Sequence, residues 1–149
     1  MPDLPEAMSS PCVGVCSTTY GDLVCRGCHR FAHEVAQWNG YEPAQQVVVL
    51  ERLADLRAGA ASRHLSPERI DQLAAMAASV RLRRIEGWSA PRIAYEVLRR
   101  LSAWRQAPPW LAGDEDGVAQ ARNLLERVEK EIRQRSEAHY ERSFRIAAQ

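Results

Sequence analysis

The residues best suited to do chemistry are four cysteines, the only ones in the chain: Cys12 and Cys16, then eight residues, then Cys25 and Cys28. Four soft ligands in two close pairs can close a tetrahedral thiolate site around one Zn²⁺ or hold a small iron–sulfur cluster. In Cys25-Arg26-Gly27-Cys28 two intervening residues let one tight turn aim both sulfurs at one point. Gly27 supplies the conformational freedom such a turn uses, and Gly14 does the same in the first pair. Spacing alone leaves zinc and iron–sulfur about even. His29 and His33 are substitute ligands on this reading, although a histidine beside a full set of four cysteines more often supports the ligands than joins them.

Other uses of the cysteines fit less well. Two disulfides would suit an exported protein, but Met1-Pro2-Asp3-Leu4-Pro5-Glu6 has neither the basic start nor the apolar core of a signal peptide. Cys25-Arg26-Gly27-Cys28-His29 matches the attachment motif of c-type haem, which would leave Cys12 and Cys16 without a role. A thioredoxin-type pair belongs near a β-α-β pattern, which the sequence lacks. There is also no Ser/His/Asp context, no phosphate-binding glycine loop and no H-E-x-x-H. The sequence therefore reads as a non-enzymatic, cytoplasmic metal-binding protein.

Around the cysteines the sequence resembles a family of small bacterial proteins. Ser10-Pro11-Cys12-Val13-Gly14-Val15-Cys16, Cys25-Arg26-Gly27-Cys28-His29-Arg30, Glu34, Trp38-Asn39, Tyr41 and Glu51-Arg52 carry the resemblance. The family is the YdhL-like proteins, a domain of unknown function described as predicted iron–sulfur proteins. It covers residues 10–58, and it implies an iron–sulfur centre and no established activity. Phe31 and His33 stand where the family pattern favours small or polar residues, so the helix after the site is expected to differ locally.

The elements that must position these ligands follow from hydrophobic spacing and punctuation. Residues 1–9 read as a flexible tail and 10–58 as a four-cysteine metal module with two helices. Ser17-Thr18-Thr19 and Leu23-Val24 flank Tyr20-Gly21-Asp22 as a short β-hairpin. A helix follows Cys28, running to Trp38 and stopped by Asn39-Gly40, and its positive end would face the thiolates. Pro43 opens a second helix, whose Val49, Leu50, Leu53 and Leu56 form one stripe. With Trp38 and Tyr41 this stripe makes the small core covering the metal site. Arg57-Ala58-Gly59-Ala60-Ala61-Ser62-Arg63 reads as a linker or frayed helix end.

Residues 66–149 read as a helical domain, making the fold class mainly α: a small metal knuckle with a hairpin, then a helical hairpin or bundle. Ser66-Pro67-Glu68 starts a helix expected over 67–85, burying Ile70, Leu73, Ala77 and Val80. Ser89 caps the next, over 90–105, with a stripe of Ile93, Val97, Leu101 and Trp104. A loop from Pro108 to Gly117 leads to a helix over 117–147. There Val118, Ala121, Leu125, Val128 and Ile132 follow a heptad, and Glu126–Lys130, Glu129–Arg133 and Glu131–Arg135 are spaced to pair. That helix packs on its neighbours or joins two copies, so the chain is a monomer or a homodimer through 117–147, with a protein partner expected. No apolar run is long enough to span a bilayer, so no membrane partner is expected.

Charge is uneven. The whole chain carries +1, but residues 59–110 hold nine basic and four acidic side chains, a local +5. Arg81, Arg83, Arg84, Arg92, Arg99, Arg100 and Arg105 flank Gly87-Trp88-Ser89, between two expected helices. A short glycine-containing turn between helices suggests a helix-turn-helix meeting nucleic-acid phosphates. The competing reading is an ordinary helical hairpin with a solvated arginine face. A nucleic-acid-binding regulator and an electron carrier or redox sensor thus stand as alternatives to the metal-binding interaction module.

Overall fold

A computed structural model describes residue 11, residues 16–112 and residues 117–145. The expected tail over 1–9, Cys12 and Gly14 lie outside the described residues. Helix dominates, as the apolar spacing requires: α1 (Ala32–Gln37), α2 (Pro43–His64), α3 (Pro67–Ala74), α4 (Ala90–Ala103), α5 (Pro109–Ala112) and α6 (Gly117–Tyr140). Short 3₁₀ turns at Ser17–Tyr20 and Trp38–Gly40 precede and follow α1, and a π-helical turn, Glu141–Arg145, ends the described chain. No helix among the described residues is long and apolar enough to cross a membrane.

The chain divides into two compact units, one of Met1–Ala54 with Ile132–Gln149, the other of Asp55–Glu131. In the first, Trp38, Val49 and Leu53 form the buried core, with Tyr41 and Leu50 packed against it. This is the core expected from the stripe on α2, without Leu56, which is only half-buried. Phe31, 2% exposed, collects a second set of rings: His33, His139, Tyr140 and Phe144 lie with centroids 5.4–5.7 Å from it.

The expected β-hairpin over Ser17–Val24 is not formed. Ser17–Tyr20 is a 3₁₀ turn, closed by Gly21 at φ 99°. The side chains explain why. Ser17 Oγ accepts from the Arg26 amide at 2.9 Å, and Thr18 Oγ1 lies 3.2 Å from Cys16 Sγ. Short polar side chains that bond nearby backbone and sulfur favour turns over strands. The chain does pair with itself, but one step later: an isolated antiparallel bridge joins Val24 to Phe31.

In the second unit Ser66 and Ser89 cap their helices as expected, accepting from the amides of Arg69 and Arg92 at 3.2 and 3.4 Å. Helix α3 packs on α4. The stretch Arg57–Arg63, expected as a linker or a frayed helix end, is the ordered end of α2: Ala60 and Ala61 are fully buried, and Arg63 reaches Glu131 at 2.6 Å. The helix expected over 67–85 ends at Ala74 and relaxes into turns. Burying both Val80 and Leu82 requires a change of periodicity there, and Arg100 Nη1 fixes it by donating to the carbonyls of Val80 and Arg81 at 2.8 and 2.9 Å.

Two stripes also shift. On α4 the buried face is Ala94, Tyr95, Val97, Leu98, Leu101 and Ser102, while Trp104 is 45% exposed. On α6 Leu124, not Leu125, joins Ala121, Val128 and Ile132 in the core. Glu129 and Glu131 reach other elements: Tyr95 donates to Glu129 at 3.2 Å, and Arg63 and His64 meet Glu131.

Candidate metal centre

The loop carrying Cys25 and Cys28 is held from both ends. The Cys25 amide donates to the Arg30 carbonyl at 2.9 Å, the His29 amide to the Cys25 carbonyl at 2.8 Å, and the Ala32 amide to the Leu23 carbonyl at 2.9 Å. Such a closed loop presents the two sulfurs from one turn. The left-handed residue is not the expected Gly27 but His29, at φ 67°. A non-glycine residue pays about 1–2 kcal/mol for that conformation, so the surrounding bonds must hold it in place. His29 is buried, as is the next residue, Arg30, at 2% exposure.

Arg30 is the residue that the ligand pattern alone does not reveal. Its Nε donates to Cys28 Sγ at 3.2 Å, and its guanidinium lies 5.0 Å from the centre of the Trp38 ring. A cation taken out of water needs a compensating anion or π-face, and here it has a sulfur and an indole. The only hint in the sequence is an arginine two positions after the last cysteine.

The three described sulfurs sit in distinct fields. The hydroxyls of Thr18 and then Thr19 hold the Cys16 thiol below its ordinary range, against burial and the nearby Cys25 charge. Burial acts to raise Cys25, but the backbone amides of Cys28, Gly27 and Ser17 face its sulfur and bring the thiol below the ordinary range. Burial pushes the Cys28 thiol up, opposed by Arg30. Both Cys16 and Cys28 feel the charge of Cys25. None of Cys16, Cys25 and Cys28 is in a disulfide. Among the described residues no three His, Cys, Asp or Glu side chains are close enough together to hold a metal ion, and Cys12 lies outside them.

Glu34 and Arg52 brace the same region. Glu34, 4% exposed, accepts from the Phe31 amide at 2.8 Å and receives Arg52 through both carboxylate oxygens at 2.6 Å. Arg52 also lies 4.5 Å over the Phe31 ring. The first turn of α1 is therefore fastened to α2 immediately after the cysteine loop. Helix α1 itself spans only Ala32–Gln37, shorter than expected, and starts four residues after Cys28.

Residues 10–57 match the model of a family described as "Protein of unknown function (DUF1289)". The DUF1289 match takes in all four cysteines, Arg30, Glu34 and Arg52, and covers about a third of the chain. That description names no metal and no activity. No curated protein and no solved structure matches the chain.

The arginines singled out on either side of Gly87 fall into two groups. Arg92 stacks on Trp88 at 3.8 Å, Arg99 lies 3.9 Å from Glu96, and Arg100 holds the Val80 and Arg81 carbonyls. Arg81, Arg83, Arg84 and Arg105 are exposed. The segment joining α3 to α4 runs from Ala75 to Ser89, far longer than the three- or four-residue turn of a helix-turn-helix.

Proposed function

We propose that residues 10–57 form a metal-stabilised module in which Cys12, Cys16, Cys25 and Cys28 hold one centre, and that the chain is a non-enzymatic interaction or regulatory protein. The observation that carries the reading is the crowd of donors around Cys25: three backbone amides face its sulfur, from Cys28, Gly27 and Ser17. A neutral thiol is a weak acceptor with little use for several N–H donors, whereas a ligating thiolate is stabilised by them. Arg30 adds a buried positive charge against Cys28. The donor set suits either Zn²⁺ or an iron–sulfur cluster, and the metal would supply the cross-link that a small loop-rich segment lacks.

Anaerobic purification, metal analysis and a visible spectrum test this directly. The expected result is one equivalent of zinc, or iron with matching sulfide and a coloured spectrum, lost together in Cys25→Ser. A bleachable, reversibly reducible chromophore would move the role towards electron transfer or redox sensing. Protein that folds fully, carries neither metal and takes up none on reconstitution would overturn the reading.

A further inference from the structure

We infer that the corner of the second unit formed by the loop after α3 and the C-terminal end of α4 binds single-stranded nucleic acid. Its elements are brought together by Arg100, whose Nη1 grips the Val80 and Arg81 carbonyls. Residues four apart share a helix face, so Trp104 stands on the face of α4 that meets this loop. The loop alternates: Val80 and Leu82 are buried, and Arg81 and Arg83 are exposed, followed by exposed Arg84. Trp104 is 45% exposed at the helix end, and exposed Arg105 follows it.

Backbone conformation is the second observation. Arg81, Arg84 and Arg105 have φ of 59°, 58° and 54°, in the left-handed region that glycine enters more easily. An arginine at each of these three positions puts a cation where the backbone favours glycine. Arg81 and Arg105 each close a turn, with the amides of Leu82 and Gln106 donating back to the carbonyls of Ala77 and Leu101 at 2.9 Å, and Arg84 lies outside any helix.

The occupant follows from chemistry. Between Ala75 and Gln106 there are seven arginines and two acids, and one of the acids, Glu96, is held by Arg57 and Arg99. The partner is therefore an anionic polymer. An exposed indole beside guanidinium groups offers a stacking platform, which every base can use. Duplex binding through a recognition helix is disfavoured, because the exposed arginines sit on a loop and a helix end, and the first-turn Arg92 is occupied by Trp88.

The test is anisotropy of labelled oligo(dT) with the full chain across a salt series. Binding is expected at low salt, with a log–log slope of about −3 for four phosphate contacts at roughly 0.7 each. The triple variant Arg81→Gly/Arg84→Gly/Arg105→Gly is expected to keep or raise its melting temperature and to lose affinity at least about tenfold, with a shallower slope. The triple Arg→Lys variant should retain most of the binding, and Trp104→Ala should lose affinity without changing the slope. The inference is overturned if the wild type does not bind at low salt, if the folded triple-glycine variant binds as well as wild type, or if poly-glutamate binds equally and Trp104→Ala costs nothing.

Discussion

Arg30 sets a chemical question that one substitution answers. Replacing a buried ion pair by well-packed apolar groups is often neutral, whereas removing one member and leaving the other charged costs about 3–5 kcal/mol. Arg30→Met keeps much of the volume against Trp38 but removes the donor to Cys28 Sγ. With a thiolate centre in place, urea unfolding should show a loss of about 2–4 kcal/mol and easier metal loss to a chelator. A neutral outcome would mean that the sulfur is an ordinary thiol. Tyr95 gives a second prediction at this scale. It is almost fully buried, and burial drives its phenol well above the ordinary value near 10, with Arg57 pulling the other way. The folded state thus keeps a proton that the unfolded state releases. Its contribution is intact below about pH 10 and falls above it, by up to about 1.4 kcal/mol per pH unit. Tyr95→Phe should flatten that alkaline decline relative to wild type, while losing about 0.5–1.5 kcal/mol at neutral pH with the hydrogen bond to Glu129.

At the scale of elements, the helices that punctuation announced are the ones that local chemistry holds. Ser66 and Ser89 each accept an amide from the first turn, with proline just behind, so Ser66→Ala and Ser89→Ala should each cost about 1 kcal/mol in urea unfolding. Glu34 does more: it closes the first turn of α1 and receives both arms of Arg52, and Glu34→Gln is expected to cost about 2–3 kcal/mol, since Arg52 is partly solvated. Such local signals made both caps and the Trp38/Val49/Leu53 core legible in the sequence. What escaped it depends on partners distant in the chain. Arg100 ends the run after α3 by binding carbonyls about twenty positions away, and burial of Ala60 and Ala61 keeps α2 going where composition suggested a linker or a frayed helix end. Serine and threonine bonding around Cys16 replaced an expected hairpin with a turn. In the candidate site the four cysteines were plain from spacing. Arg30, the left-handed His29 and the amides around Cys25 were not, because each is a property of the closed loop.

For the whole molecule, the boundary between the two compact units falls inside helices, after Ala54 in α2 and before Ile132 in α6. If the cysteine centre orders the first unit, its loss should act on that unit alone. The first unit holds its own small core at Trp38, Val49 and Leu53, plus the rings around Phe31, which draw His139, Tyr140 and Phe144 from the far end of the chain. A core so small has little stability to spare without a cross-link, and metal binding supplies folding free energy directly. The second unit keeps its own buried set, including Leu73, Tyr95, Leu98, Leu101 and Val128. Hydrogen exchange before and after chelation should therefore show protection lost in Ala32–Ala54 and in Ile132–Tyr140, and retained across α3, α4 and the part of α6 before Ile132. The change would run through the middle of two continuous helices, which neither fraying from the ends nor a global loss of stability produces. Uniform loss across α6, or none at Ile132–Tyr140, would show that the C-terminal rings are held independently of the cysteine loop. Phe144→Ala, which removes one ring from the Phe31 cluster, should reproduce the C-terminal part of that loss without releasing metal.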